Sequence, residues 1–239
     1  MGTNHTITSQ PLPQREAWGL LGGTFNPPHW GHIQIAQAAL LQAKLHRVLW
    51  VPAYRPLHRR RESVLAFDHR LAMVQVAIAP YPNFHVSHIE RTLPATSFAI
   101  DTLTQLQEQH PNVDWTWILG LDTFSSLPRW YQGDRLIPQC TWLIAPRPAV
   151  SGLPTASSTA GAVMAPILRS IQVQAAHWQA QGIKLDWRLL DMHPIPIASS
   201  NIRQRVRDRQ PIDSLVPAAV KAYIQQHKLY LTTGSPSNE

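Results

Sequence analysis

The chain has 239 residues, of which 44% are hydrophobic and 15% are charged; at roughly 150 residues per domain this length predicts one domain with additions. No apolar run approaches the roughly 20 residues that a membrane-spanning helix needs, which excludes a transmembrane protein. The formal charge of +7 arises from 17 arginines and 4 lysines against 14 acidic residues, so we expect an anionic partner, either a nucleic acid or a phosphorylated substrate.

The N-terminal segment and the single cysteine bear on the cellular compartment. Residues 1–16 are polar and contain no apolar run typical of an export signal, so we expect a flexible extension of a cytoplasmic protein. Cys140 is the only cysteine, which excludes an internal disulfide and predicts a buried, unreactive thiol. We expect a single domain over residues 17–232 and a short tail over 233–239.

Apolar runs and helical spacings alternate along the chain. The run 17–21 predicts a strand that ends in a turn at Gly22 and Gly23, and the spacing of Ile33, Ala36 and Leu40 predicts a helix. In chain order, the further predicted elements are a strand over 47–52, a helix over 68–79, a strand over 84–87, a helix over 97–109 capped by Ser97, and strands over 115–119, 141–145 and 187–190.

Two helices are predicted to close the chain, one opened and capped by Ser199 or Ser200 and one starting at Pro217. The regular alternation of strand and helix predicts an α/β fold, a doubly wound Rossmann-like parallel sheet with C-terminal helices. Residues 146–186 interrupt the alternation with a loop rich in Pro, Ser, Ala and Gly, followed by helical spacing through Ile167, Ile171 and Ala175. We interpret this segment as an insertion. The 21 prolines favour many short elements over long helices.

Ligands of such sheets bind at the carboxyl ends of the strands, where the loops 22–31, 52–61 and 120–131 are expected. Neither a P-loop nor a G-x-G-x-x-G sequence is present. Instead, His29 and His32 stand at a predicted helix start, where free N–H groups and the helix dipole favour a phosphate. Two imidazoles one turn apart can donate to the same phosphate, and Gly31 has no Cβ to hold it away. A purely structural role for either histidine is the alternative.

The run GGTFNPPHWGH over residues 22–32 resembles the signature of the H-x-G-H nucleotidyltransferase superfamily, and more closely that of the bacterial nicotinate-nucleotide adenylyltransferases. Three further segments resemble motifs of that family in the same order. They are 52–59, the pair 120–122 and 128–131, and 199–203. The resemblance covers about residues 17–146 and 187–230.

The resemblance implies adenylyl transfer from ATP to nicotinate mononucleotide, which gives nicotinate adenine dinucleotide and pyrophosphate in NAD biosynthesis without a covalent enzyme intermediate. It implies a catalytic role for His29, His32 and Arg203. The residues that it implies for ATP are Gly22, Gly23, Thr24, Phe25, Gly31, Ser199 and Ser200. Those that it implies for the mononucleotide are His58, Arg59, Thr96, Asp122, Trp130 and Tyr131.

The same resemblance implies Mg²⁺ that arrives with ATP, and no metal site made of protein ligands. Trp130 is expected to stack on the nicotinate ring, with an ordinary buried tryptophan as the alternative. Asp122 is expected to accept a ribose hydroxyl, with capping of the next turn as the alternative. The loops 96–98 and 130–131 contain no acidic residue, so their N–H groups are expected to receive the nicotinate carboxylate.

Two other functions stay open at this stage. The enzyme could use the amide mononucleotide, since a carboxylate and a carboxamide differ little in shape. A non-catalytic nucleic-acid-binding protein would account for the basic charge but not for the histidine pair. We expect ATP and nicotinate mononucleotide as partners, no nucleic acid and no membrane, and a homo-oligomer is compatible with the sequence.

Overall fold

Six parallel strands form one sheet in a computed structural model that describes residues 15–56, 64–94, 98–146, 160–193 and 195–231. The strands, in chain order, are β1 (Glu16–Gly23), β2 (Arg47–Pro52), β3 (Phe84–Val86), β4 (Val113–Gly120), β5 (Thr141–Ala145) and β6 (Trp187–Leu189). Their order across the sheet is β3-β2-β1-β4-β5-β6, and every neighbouring pair is parallel. This is the doubly wound arrangement that the sequence predicts.

The strand order reverses between β1 and β4, which are adjacent in the sheet although more than 80 residues separate them in the chain. In sheets of this type the chain connections leave such a point in opposite directions, and a crevice is expected between the loops that follow the two strands. The loops after β1 and β4 are the ones that carry the histidine motif and residues 120–131. The topology therefore places both predicted binding segments at one edge of the sheet.

Helices cover both faces of the sheet. They are α1 (Trp30–Gln42), α2 (Phe67–Ile78), α3 (Ala99–Gln109), the single turns α4 (Leu121–Phe124) and α5 (Gly133–Leu136), α6 (Ala160–Gln179), α7 (Ser199–Arg207) and α8 (Ala218–Gln226). Apolar residues of α3 and α6 pack on one face, and those of α1, α2, α7 and α8 pack on the other. Side chains alternate along each strand, so Trp117 and Leu119 of β4 face the first layer and Ile118 faces the second.

Several boundaries differ from the sequence predictions. β1 continues through Gly22 and Gly23, because these residues pair with Val51 and Pro52 of β2 rather than forming a turn. α3 begins at Ala99 with Phe98 at its N-cap position, where the Phe98 N–H donates to Asp101 Oδ2 at 2.8 Å. The predicted cap, Ser97, lies outside the described residues.

The insertion contains a 20-residue helix, α6, so the preference for short elements inferred from the proline content is wrong there. Pro166 lies inside this helix, beyond its first turn, where it has no N–H to donate to the preceding turn. The predicted spacing is confirmed, since Ile167 and Ile171 are buried against the same core as α3. The loop before α6 lies largely outside the described residues.

The remaining expectations at this level concern the membrane, the cysteine and the domain limits. No helix in the described part of the chain is long and apolar enough to cross a bilayer. Cys140 is buried, and this burial raises the pKa of its thiol to about 12, as expected for an unreactive cysteine. The division into extension, domain and tail stays a prediction.

Candidate active site

The two histidines of the motif stack face to face at the start of α1. Their ring centroids are 3.7 Å apart with an interplanar angle of 28°. The His29 N–H donates to Nδ1 of His32 at 3.2 Å, so Nδ1 is an acceptor and the neutral His32 ring carries its proton on Nε2. This tautomer makes Nε2 a hydrogen-bond donor, which is what recognition of a phosphate oxygen requires.

Backbone N–H groups at the start of α1 are largely occupied, contrary to the sequence prediction. The Trp30 N–H donates to the Leu215 carbonyl at 3.0 Å, and the His32 N–H donates to the His29 carbonyl at 2.9 Å. The His29 N–H is held by His32, as described above. The row of free N–H groups that the sequence predicts at this helix start is therefore largely taken up by protein acceptors.

The glycine in the motif makes room for a side chain rather than only for a ligand. A Cβ on Gly31 would lie 3.0 Å from Cε1 and Nδ1 of the His29 ring. A Cβ on Gly23 would similarly lie 3.0 Å from the ring of Phe25, which is buried against Trp50. Small residues at 23 and 31 thus allow two aromatic rings to fold over the backbone. Gly22 has no such neighbour, because the nearest atom to its Cβ position is 3.8 Å away.

The start of α7 docks onto the loop that precedes His29. Nη1 of Arg203 donates to the Asn26 carbonyl at 2.8 Å, and Ser199 Oγ donates to the Pro27 carbonyl at 2.8 Å. The helix-cap prediction is therefore wrong, since Ala198 occupies the N-cap position and the Ser199 hydroxyl bonds to another loop. The structure therefore brings Arg203 and Ser199 to the loop that precedes His29. Ser200 is exposed beside them.

The loop after β4 holds the predicted nucleoside residues. Asp122 is exposed in the first turn of α4. The Trp130 ring is partly buried between Trp117 and Trp142, with centroid distances of 5.9 and 6.3 Å, and its Nε1 donates to Ser126 Oγ. Tyr131 is 52% exposed, and its ring lies 4.4 Å from that of Phe98. Trp130 is therefore anchored in the core, while Tyr131 faces outward.

Amide donors for a carboxylate are fewer than the sequence suggests. The Phe98 N–H is taken by Asp101, and the Trp130 N–H donates to the Leu127 carbonyl at 3.0 Å. In the described part of these two loops, the Tyr131 N–H is the one that donates to no protein acceptor. His58, Arg59 and Thr96 lie outside the described residues, so their predicted roles rest on the sequence.

Comparison with known proteins identifies the family. The cytidylyltransferase-like family matches residues 20–205. The chain is 44% identical over 211 residues to a probable nicotinate-nucleotide adenylyltransferase of Trichormus variabilis, covering 88% of this chain and 95% of that protein. It is 37% identical to one of a Synechococcus strain, covering 93% and 99%. The chain belongs to the nicotinate-nucleotide adenylyltransferases.

Solved structures of the same family share the fold at low sequence identity. A nicotinic acid mononucleotide adenylyltransferase of Plasmodium falciparum, complexed with NaAD, aligns with a TM-score of 0.64 at 17% identity and covers 90% of this chain and 97% of its own. A putative nicotinate-nucleotide adenylyltransferase from Vibrio parahaemolyticus aligns with a TM-score of 0.61. These structures confirm the predicted Rossmann-like fold, and the similarity to the curated adenylyltransferases confirms the predicted nucleotidyltransferase.

Reasoning from the sequence missed two residues near this candidate site. Arg70 is fully buried on α2, and Glu90 lies close enough for the two charges to interact. One signal was readable for Arg70, which lies on the apolar face of its helix, three residues after Phe67 and four before Val74. An arginine at that spacing must either be buried or interrupt the apolar face of the helix. Nothing in the local pattern marks Glu90.

Proposed function

We propose that this chain transfers the adenylyl group of ATP to nicotinate mononucleotide and that the crevice between the β1 and β4 loops is its active site. The product is nicotinate adenine dinucleotide, an intermediate of NAD biosynthesis, and pyrophosphate is released. The stacked His29 and His32 rings carry the proposal, because they stand at the reversal of strand order in a chain 44% identical to curated nicotinate-nucleotide adenylyltransferases.

The chemistry needs positioning and charge stabilisation rather than a protein nucleophile. A phosphate oxygen of the mononucleotide forms a bond to the α-phosphorus of ATP. The bond from that phosphorus to the α,β-bridging oxygen breaks, and its electron pair leaves with pyrophosphate. Negative charge grows on the phosphoryl oxygens during this step, so donors aimed at those oxygens lower the barrier.

The described residues provide such donors. Nε2 of His32 is assigned to the transferring phosphoryl group, because its tautomer is set by the His29 N–H. Arg203 is assigned to the leaving pyrophosphate. A guanidinium has five N–H donors, and the bond to Asn26 orients the group without removing its charge. ATP is also assigned to the segment that leads from β1 to His29, through the backbone of Gly22, Gly23, Thr24 and Phe25. The hydroxyls of Ser199 and Ser200, at the start of α7, are assigned to ATP as well.

The mononucleotide is assigned to the β4 side of the crevice. The exposed part of the Trp130 ring would stack on the pyridine, and the Tyr131 N–H would receive its carboxylate. Asp122 would accept a ribose hydroxyl. Contacts from His58, Arg59 and Thr96 are included on the strength of the sequence resemblance alone.

The magnesium ion expected with ATP fits this residue set as a substrate-borne ion. In the described part of the chain, no three His, Cys, Asp or Glu side chains come together as a metal site. Mg²⁺ commonly keeps several waters and binds phosphate oxygens, so a protein cage is not needed. When bound to ATP, the ion would neutralise phosphate charge. A cytoplasmic location and the oligomeric state stay predictions.

A pyrophosphate-release assay on the purified protein tests the function directly. Pyrophosphate release should require both ATP and nicotinate mononucleotide, and mass spectrometry should find one nicotinate adenine dinucleotide for each pyrophosphate. A preparation of the double variant His29→Ala/His32→Ala controls for contaminating enzymes. Pyrophosphate release without the second substrate, or equal release by the double variant, would refute the assignment.

A further inference from the structure

The side chain of Arg70 is buried in the interior of the second helical layer, with 1% of its surface exposed. The residues one turn away from it on α2, Phe67, Met73 and Val74, are apolar. Burial lowers the pKa of the guanidinium, and the charge of Glu90 acts in the opposite direction. Arginine nonetheless stays charged at any working pH. A buried charge is costly unless it is paired and hydrogen-bonded. The hydrogen bonds and the charge around Arg70 must therefore offset the cost of burying it.

The guanidinium of Arg70 holds three backbone carbonyls that belong to two separate loops. Nη1 donates to Thr24 at 2.9 Å, within the loop that leads from β1 to His29. Nη2 donates to Tyr54 at 3.3 Å and Nε donates to Leu65 at 3.0 Å, on either side of the loop after β2. Because the guanidinium is rigid and planar, these bonds fix one loop relative to the other.

Glu90 completes the arrangement from the opposite side. Its Oε2 accepts the Tyr54 N–H at 2.8 Å, and its Oε1 accepts the Thr102 hydroxyl of α3 at 3.3 Å. Tyr54 is therefore held through its carbonyl by Arg70 and through its N–H by Glu90. Desolvation raises the pKa of the Glu90 carboxyl, and the bonds from Tyr54 and Thr102 and the charge of Arg70 oppose that rise.

We propose that Arg70 and Glu90 are a positioning pair that aligns the loop before His29 with the loop after β2. The inference rests on the proposed function, in which the first loop serves ATP and the sequence resemblance assigns His58 and Arg59 of the second loop to the mononucleotide. Neither residue is assigned to a substrate. Their effect is on the relative placement of the two reactants, which determines how often the phosphate oxygen meets the α-phosphorus in line.

This role predicts a loss of turnover without an equal loss of binding. In Arg70→Lys the charge is kept, but a single ammonium cannot hold three carbonyls in fixed directions. We expect kcat to fall about tenfold to a hundredfold. The KM for each substrate should change by no more than about threefold, since each loop still carries its own contacts.

The matched control is Arg91→Lys. Arg91 bonds to Asp68 nearby, with Nη1 2.8 Å from Oδ1, but half of its side chain is exposed. Exposed ion pairs contribute little, so this variant should keep kcat within about twofold of the wild type. The comparison separates the buried fork from arginine replacement in general.

Calorimetric titration with a non-hydrolysable ATP analogue distinguishes mispositioning from unfolding, because it measures the number of binding sites per chain. Partial unfolding lowers the number of binding sites and the apparent kcat together, whereas mispositioning leaves one site per chain. Assays are run well below the melting temperature of each variant. Wild-type kcat in Arg70→Lys, or a kcat that falls only in proportion to lost binding sites, would overturn the proposal.

A second variant keeps the test decisive if Arg70→Lys does not fold. Glu90→Leu preserves approximate volume and removes both acceptors, and we expect kcat to fall at least about fivefold with one analogue site per chain. Unchanged turnover in this variant would also overturn the proposal. Failure of the proposed function is seen separately, because the wild-type protein itself would then release no pyrophosphate with the two substrates.

Discussion

At the scale of single residues, the site depends on side chains that hold one another before any substrate binds. The His29 N–H fixes the tautomer of His32. Arg203 and Ser199 donate to the carbonyls of Asn26 and Pro27, in the loop ahead of His29. Tyr230 adds a bond from its hydroxyl to Asn26 Oδ1 at 2.8 Å. The donors are therefore oriented in advance, which reduces the cost of ordering them in the transition state.

Replacement of His32 tests the donor directly. His32→Ala should leave the fold intact and lower kcat by about 10² to 10³, the usual loss for a donor aimed at developing charge. His32→Gln should recover part of this loss, because the amide NH₂ can reach roughly where Nε2 lies. His85→Ala, at an exposed position of β3, is the control. Steady-state kinetics with equal rates in all four proteins would contradict the role.

Gly31 offers a test in which activity and stability move apart. Alanine is favoured over glycine within a helix by about 1 kcal/mol, so Gly31→Ala should not lower the melting temperature appreciably. Its Cβ would meet the His29 ring at 3.0 Å and displace it, so kcat/KM for ATP should fall by about tenfold. The assignment fails if thermal denaturation and kinetics both match those of the wild type.

At the scale of elements, α6 belongs to the core although the sequence presents it as an insertion. Ile167, Ile171 and Trp178 are buried with residues of α3 and β4, and the Trp178 ring lies 3.7 Å from the Cβ position of Gly133. Gly133 in turn donates its N–H to the Trp130 carbonyl. The helix thus supports the loop that is assigned to the mononucleotide.

Two substitutions on this helix separate core packing from surface. Trp178 is 5% exposed and Val173 is 67% exposed. Trp178→Ala should lower the free energy of unfolding by about 3 to 5 kcal/mol, as expected for a large buried aromatic side chain. Val173→Ala should change it by less than about 0.5 kcal/mol. Urea denaturation checks both values, and a small effect at Trp178 would mean that α6 is only an appendage.

Periodicity predicts most elements because it reports burial of one face, but it carries no information on partners. The strands over 47–52 and 141–145 have the predicted limits, whereas Gly22 and Gly23 extend β1 through pairing with β2. The N-terminus of α7 was expected to use its serines as caps, and instead Ser199 bonds to Pro27. These differences arise from contacts between distant parts of the chain, which local sequence cannot show.

At the scale of the whole molecule, the order of strands brings the two halves of the site together. β1 and β4 are neighbours, so the histidine loop and the loop after β4 border one crevice. The motifs and their resemblance predict His29, His32 and Arg203 as catalytic residues from the sequence alone. Arg70 and Glu90 were missed because their role is to join loops that are remote along the chain.

Two pyridine substrates, compared side by side, distinguish adenylyl transfer to the acid mononucleotide from transfer to the amide. With ATP fixed, kcat/KM is determined for nicotinate mononucleotide and for nicotinamide mononucleotide in the wild type and in Trp130→Ala. A carboxylate accepts from the Tyr131 N–H as a charged group, whereas a carboxamide offers only a neutral acceptor, and hydrogen bonds to charged groups are stronger by about 1 to 2 kcal/mol.

We therefore predict that kcat/KM for the acid mononucleotide exceeds that for the amide by at least about tenfold. Trp130→Ala should lower both values, because stacking on the ring does not depend on its substituent. Equal values, or a preference for the amide, would contradict the acid-specific assignment, and the absence of pyrophosphate release with either substrate would contradict adenylyl transfer itself.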